Sequence, residues 1–231
     1  MLPLQEAGKK AAPTTAGTIA TGMRRVLVTG AEGMLGSEVV RRLRSSPGVS
    51  IQRSTMADMD ITDLAAVKRR LEALQPTHIV HCAAFTLVDT AEKEPLACHR
   101  VNAEGTKNIA FFARELGAEM VYISTDYVFD GAKKVGYIEA DRANPINQYG
   151  ESKWLGEQFV RALVERHKIV RTSWLNGLGG VHSRNFIETM LRLSERRSQL
   201  SVVADQVGRP TFTFDLARAI ISLLDVDATG V

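Results

Sequence analysis

Apolar residues along this chain follow two alternating rhythms. Short unbroken runs read as buried strands: Val26-Leu27-Val28, His78 to Ala84, Met120 to Ser124 and Ile169-Val170-Arg171. Between them lie stretches whose apolar positions recur at helical spacing. Met34, Leu35, Val39, Val40 and Leu43 form one such face, and Leu64, Val67, Leu71 and Leu74 another. Longer helices are expected over Glu92 to Leu116 and Pro145 to Glu165. Towards the end, the pattern predicts a helix over Asn185 to Leu193, a short strand over Leu200 to Ala204 and a helix over Phe214 to Leu224. Strands that alternate with helices imply an α/β fold, a doubly wound parallel sheet with helices on both faces. No internal repeat or coiled-coil heptad is present.

Residues 1–22 break this rhythm. They are rich in Ala, Gly and Thr, carry Pro3, Pro13 and Lys9-Lys10, and lack a continuous apolar core of the secretory type. A disordered leader is expected, with the folded unit beginning near Arg24. The chain has 231 residues, 45% of them apolar and 24% charged, with a net charge of +3, which fits one globular domain with at most a small added lobe. Lys and Arg are interspersed with Asp and Glu, so no nucleic-acid footprint is visible, and no apolar run is long enough to span a bilayer. Cys82 and Cys98 form no metal-type pair and read as reduced thiols of a cytoplasmic protein; no metal site is expected.

Gly30, Gly33 and Gly36 form a G-x-x-G-x-x-G turn between the first strand and the first helix. The first glycine permits a tight turn, the second lets the backbone approach a pyrophosphate, and the third lets the helix pack on the strand. The helix N-terminus offers free N–H groups and the positive end of its dipole to the phosphates. An acid at the end of the second strand would hold a ribose 2′-hydroxyl, but Val49 to Thr55 contains none. Arg53 stands there instead and could pair with a 2′-phosphate, so NADPH is expected, with NADH left open. Asp60 could accept from the adenine amino group or cap the following helix.

Tyr149 and Lys153 lie four residues apart in Gln148-Tyr149-Gly150-Glu151-Ser152-Lys153, so a helix points phenol and ammonium the same way. Such a pair alone occurs often by chance. Together with the glycine turn and the intervening Val121 to Gly131, it comes in the order that a nicotinamide-dependent reductase needs.

With these residues on the page, the chain resembles the extended short-chain dehydrogenase/reductases, and within them the dTDP-4-dehydrorhamnose reductases, from Arg24 to Val231. The likeness rests on Thr29 to Gly36, Ala83 to Asp89, Val101-Asn102, Ser124 to Gly131, Asn147 to Lys153, Arg171 to Trp174 and Asp205 to Thr211. It implies a Rossmann-like cofactor domain over residues 23–231, with residues from about 174 onward contributing to a substrate lobe, and reduction of the 4-keto group of a dTDP-sugar. By the same resemblance, Tyr149 would donate the proton, Lys153 would assist it and hold the nicotinamide ribose, Thr125 would bond the keto oxygen, and Asn102 would support Lys153. Gly33, Met34, Leu35, Asp60, Ile61, Ala83 and Ala84 would line the cofactor, and Asp126 and Trp174 would face the nucleotide-sugar. A nearby ammonium is expected to favour the phenolate of Tyr149 and lower its pKa. A homodimer is compatible with this reading.

Three rivals were weighed. A sugar-nucleotide dehydratase would carry an acidic pair after the threonine, whereas here Asp126 precedes Tyr127. An epimerase would use the same Tyr149 and Lys153. A non-catalytic cofactor-binding regulator, resembling the regulatory subunit of methionine adenosyltransferase, would share the glycine turn; the segments Arg171 to Trp174 and Asp205 to Thr211 favour the reductase. The resembled family continues beyond Thr229-Gly230-Val231 into another strand and further substrate lobe, so the expectation is a chain that binds NADPH but turns over dTDP-sugar poorly. The cofactor reading gives a first test. Arg53→Ala is expected to weaken NADPH binding at least several-fold more than NADH binding, by fluorescence titration; equal losses would free Arg53 of the 2′-phosphate.

Overall fold

A computed structural model describes residues 23–180 and 185–231. The leader expected over residues 1–22 lies outside the described residues. Five parallel strands form the central sheet in the order β2-β1-β3-β4-β5: β1 is Arg24–Thr29, β2 Val49–Ser54, β3 His78–His81, β4 Glu119–Thr125 and β5 His167–Thr172. Gly230 makes a further parallel bridge beside β5, at Lys168. The strands read as continuous apolar runs because both faces are covered. Val26 and Val28 of β1 pack with Val121 of β4 against α1 (Met34–Leu43) and α8 (Thr213–Leu223). Leu27, Ile79, Met120 and Tyr122 point the other way, towards α2 (Leu64–Leu74), α5 (Thr106–Glu115) and α6 (Gln148–Leu163).

Most expected elements form where the periodicity places them, α1 and α2 residue for residue. Three expectations need correction. The expected strand over His78 to Ala84 ends at His81, and Cys82 to Ala84 run on beyond the ladder. The single helix expected from Glu92 to Leu116 is a chain of shorter pieces: α3 (Val88–Lys93), α4 (Pro95–His99), a π-helical stretch over Arg100–Gly105, then α5. Pro95 explains the first break. It lacks an N–H and disfavours helical geometry in the residue before it, and Glu94 sits at φ −128°, ψ 56°.

No strand forms over Leu200 to Ala204. An apolar β-branched run still needs an edge to pair with, and Val202 and Val203 are exposed. A small two-stranded parallel sheet forms elsewhere, between β6 (Leu175–Asn176) and β7 (Thr211–Phe212). Between its two strands runs α7 (Phe186–Ser194), a helix with no buried residue, and β7 leads directly into α8.

The strand order reverses at β1, between its neighbours β2 and β3. In open α/β sheets such a switch point leaves a crevice at the strands' C-terminal ends. The glycine turn after β1, the Ala83-Ala84 segment after β3 and Thr125 at the end of β4 all lie along this edge.

Helix α6 approaches the edge unusually closely. A Cβ on Gly150 would lie 2.1 Å from the Tyr127 carbonyl oxygen, and one on Gly156 would lie 2.3 Å from the Tyr122 hydroxyl. Neither clash can be relieved by a flexible side-chain tip alone, since Gly150 faces backbone and Gly156 also faces the Asn102 carbonyl at 2.8 Å. Gly150→Ala is therefore expected to cost roughly 1–3 kcal/mol and several degrees of Tm. Gly136→Ala, where a Cβ meets nothing within 4 Å, is the control and is expected to melt like the parent. Equal melting of the two variants by differential scanning calorimetry would contradict this packing.

Candidate active site

Helix α6 is started by Asn147, whose side chain accepts from the Gly150 N–H at 2.7 Å. Its first turn sets Tyr149 beside the end of β4. Tyr127 meets the Tyr149 ring edge-on, with centroids 5.6 Å apart. Thr125 is buried and caps the short 3-10 turn Asp126–Val128, accepting from the Tyr127 N–H at 3.2 Å and donating to Asp126 at 3.1 Å. Tyr149, Thr125 and Asp126 thus gather at one place. Burial raises the pKa of Asp126, against the lowering effect of its hydrogen bond from Thr125.

One turn along α6, Lys153 is only 3% exposed. Its Nζ lies over the ring of Tyr122, 4.2 Å from the centroid. Burial lowers its pKa to about 7, while Glu157 acts to raise it. Tyr149 moves opposite to expectation. Burial pushes its hydroxyl up to about 12; a hydrogen bond with Thr125 lowers it, and Asp126, Cys98 and Tyr127 raise it. The expected depression by Lys153 is absent, because desolvation dominates and the ammonium rests on Tyr122.

Asn102 also differs from its expected role. It is fully buried in the π-helical stretch, but its side chain does not bond Lys153. Its Oδ1 accepts from the Phe85 N–H at 2.8 Å, and its Nδ2 donates to the Phe85 carbonyl at 3.0 Å and to Ser152 at 3.0 Å. It ties the loop after Ala83-Ala84 to α6, next to the residue that precedes Lys153. Glu157, not singled out in the sequence, is fully buried. It takes a hydrogen bond from Ser124 at 2.6 Å and a two-point bond from Arg171 at 2.9 and 2.7 Å. Its i+4 spacing from Lys153 was a usable signal, though a glutamate on a helix is ordinarily a solvated one.

The glycine turn has the shape that a dinucleotide needs. Gly30 adopts φ +62°, and a Cβ there would lie 2.7 Å from the Ala83 N. A Cβ on Gly36 would lie 2.2 Å from the Gly30 carbonyl oxygen, so helix and turn are in backbone contact. Gly33 caps α1 without a side-chain bond, and no acid occupies the first turn. The N–H groups of Met34, Leu35 and Gly36 are left without a side-chain cap, as a phosphate site at a helix start requires. Gly180, at φ +93°, crosses the same helix end, within 2.7 Å of the Met34 N for an added Cβ.

Other expected cofactor residues fall nearby. Arg53 is exposed in β2, and Arg70 of α2 donates to its carbonyl at 3.2 Å. Asp60 does not cap α2. It binds Thr62 through the N–H and hydroxyl, both at 2.8 Å, and Asp63 caps the helix instead. Ile61 is buried against Gly105. Trp174 lies just past β5, in the left-handed region at φ +44°, with its indole against Gly208 and its ring 6.0 Å from Phe186. For a tryptophan this backbone is strained, by roughly 1–3 kcal/mol. It holds the indole against Gly208 and near Phe186, beside β7.

The depressed Lys153 gives a stability prediction. Below about pH 7 both folded and unfolded chains hold its proton, and the folded chain bears the full cost of a buried cation. As pH rises towards the ordinary lysine value near 10.4, the unfolded state alone keeps the proton, so this cost is progressively relieved. Lys153→Met is expected to raise Tm by several degrees at pH 6.5, with the gain shrinking towards pH 10. The difference from the parent isolates Lys153 from Tyr149 and Cys82, whose raised pKa values act oppositely. A gain independent of pH would show that Lys153 folds without penalty.

With this geometry in view, similarity to known proteins becomes informative. Residues 23–230 match the family described as RmlD substrate binding domain. The chain is 44% identical over 201 residues to the spore coat polysaccharide biosynthesis protein SpsK of Bacillus subtilis, covering 87% of this chain and 70% of that protein. It is 44% identical over 210 residues to a dTDP-4-keto-6-deoxy-D-glucose reductase of Streptomyces niveus, covering 90% and 71%. The crystal structure of dTDP-4-dehydrorhamnose reductase from Bacillus anthracis in complex with NADP superposes with a TM-score of 0.85 at 43% identity, covering 90% of this chain and 72% of that one. A UDP-glucose 4-epimerase from Thermus thermophilus shares the fold alone, with a TM-score of 0.73 at 21% identity. On both the match over residues 23–230 and the identity of these relatives, the chain belongs to the RmlD substrate-binding-domain family.

Proposed function

We propose that this chain is an oxidoreductase that reduces the 4-keto group of a dTDP-4-dehydro-sugar with NADPH. One observation carries the reading: Tyr149, on a helix anchored by glycine-only contacts, meets Thr125 and Asp126 at the C-terminal edge of the sheet, the same edge that carries the glycine cradle after β1. The named activity of the Streptomyces niveus relative and the NADP held by the Bacillus anthracis structure support it.

Gly30, Gly33, Met34, Leu35 and Gly36 would hold the pyrophosphate on the α1 dipole, and Arg53 would meet the 2′-phosphate. Bound NADPH supplies the hydride. Reduction also needs a proton at the carbonyl oxygen, and Tyr149 is the group to give it. A phenol held near pKa 12 is fully protonated at neutral pH, so the donor is always loaded. Its high pKa makes it a reluctant donor, and the Thr125 hydroxyl, turned from Asp126, would donate its one proton to the developing alkoxide. Lys153 lies next along α6, where its ammonium would face the ribose and add positive potential. Asn102 fixes the loop that follows Ala83-Ala84 and so the wall of the cofactor site. Asp126 and Trp174 would contact the nucleotide-sugar, with β6, β7 and α7 forming part of the substrate lobe. That α7 buries none of its residues, and that Phe186 and Leu191 are exposed, fits a surface built to take further contacts.

The test is the reduced sugar itself, detected by mass spectrometry after incubation with NADPH and a panel of dTDP-4-dehydro-sugars. Tyr149→Phe deletes only the hydroxyl; it is expected to keep NADPH affinity and lose turnover by about 100-fold or more. Undiminished turnover in that variant at saturating NADPH would remove Tyr149 from the chemistry.

A further inference from the structure

We propose that Tyr122 is a positioning residue of this site: its ring face, together with the more distant Glu157 carboxylate, favours the ammonium form of the buried Lys153 against the cost of burial. The use made of Lys153 rests on the reductase reading, but the charge of Lys153 is a property of the chain alone and is measured without substrate.

A buried ammonium ordinarily sits against a carboxylate. Lys153 does not. Among the described residues, its Nζ has no ion-pair or hydrogen-bond partner, and it lies over the π face of Tyr122, 4.2 Å from the ring centroid. Glu157 is occupied by Arg171 and Ser124, so it acts on Lys153 through space only. Tyr122 is built to stay in place. It is fully buried, and its hydroxyl donates to the Lys153 carbonyl at 3.3 Å. That bond ties the ring to the very turn that carries the ammonium. Gly156 makes room for it, since any Cβ there would strike the Tyr122 hydroxyl.

The remaining groups around Lys153 are neutral. From β3, His81 stacks on Tyr122 with centroids 5.8 Å apart, and burial pushes it down to about 3, so it carries no competing charge. Its two ring nitrogens are taken by Thr29 at 2.7 Å and Thr106 at 3.1 Å. Burial pushes the Cys82 thiol after β3 up to about 12 and raises Cys98 of α4 as well. On α6 itself, Tyr149 is held protonated. From β5, the charge of Arg171 is matched by Glu157. The ring of Tyr122 thus lies against the ammonium with its negative face, while Glu157, Cys82 and Cys98 act in the same direction through space. A neutral Lys153 would offer a bound ribose no positive potential, which gives the arrangement its function.

The test is the titration of Lys153 in protein labelled with carbon-13 lysine and free of cofactor. Its Cε–Hε resonance is assigned by its loss in Lys153→Met. Tyr122→Phe keeps the ring and is expected to leave the midpoint close to that of the parent. Tyr122→Leu removes the ring and is expected to lower the midpoint by about one unit, a roughly tenfold loss of proton affinity. Should Tyr122→Leu fail to fold, near-isosteric fluorinated phenylalanines at position 122 take its place, and the midpoint is expected to fall stepwise with fluorine number. A second readout is the pH dependence of NADPH affinity, whose alkaline loss should move down with the lysine midpoint. A midpoint indifferent to fluorination would overturn the proposal. So would a fall in Tyr122→Phe as large as in Tyr122→Leu, since the hydroxyl rather than the ring would then be responsible.

Discussion

The site depends on how closely helix α6 lies against the end of β4. Two missing Cβ atoms, at Gly150 and Gly156, allow that approach. The first puts the helix start on the Tyr127 carbonyl and so brings Tyr149 beside Thr125. The second admits the Tyr122 hydroxyl beneath the helix and so puts an aromatic ring under Lys153. Glu157, one residue beyond Gly156, then reaches Ser124 and Arg171. Two charged side chains of one helix face, Lys153 and Glu157, are buried against the sheet, and Glu157 finds its partners because the backbones are at contact distance. Polar groups placed so deep must be satisfied or bear the desolvation cost, and among the described residues the Lys153 ammonium has no hydrogen-bond or ion-pair partner, only the ring of Tyr122.

The same economy appears at the other half of the crevice. Gly30, Gly33 and Gly36 bring turn, helix and the segment after β3 into backbone contact, and leave the first N–H groups of α1 without a side-chain cap. A helix end that forgoes its cap gives up roughly 1 kcal/mol of local stability and keeps its donors for a ligand. Stability is thus surrendered at both places where the chemistry requires a free group, the α1 N-terminus and the Lys153 ammonium.

Much of this was legible in the sequence. The strands covered on both faces, the amphipathic helices α1 and α2, the glycine turn and the Tyr149–Lys153 spacing follow from local pattern alone. What escaped depends on residues distant in sequence. Whether Asp60 or Asp63 caps α2 turns on a three-residue difference that periodicity does not resolve, and Asp60 prefers its own turn with Thr62. The break at Glu94 was visible in Pro95, but the apolar rhythm on either side masked it. A strand over Leu200 to Ala204 failed because β-propensity has no effect without a partner edge. The electrostatics of Tyr149 and Lys153 were misjudged for a related reason. Spacing places two groups on one face, but desolvation and the ring of Tyr122, contributed by another strand, decide their protonation.

The account's central claim is that this cleft delivers hydride to a sugar ketone while Tyr149 delivers the proton. The direct measurement uses NADPH deuterated at C4 of the nicotinamide with a dTDP-4-dehydro-6-deoxy sugar, and locates the label in the product by NMR. The account predicts deuterium bound to C4 of the reduced sugar, accumulating in step with oxidised cofactor. Binding of both cofactor and sugar with no label transferred, or an inverted sugar that carries no deuterium, would contradict it.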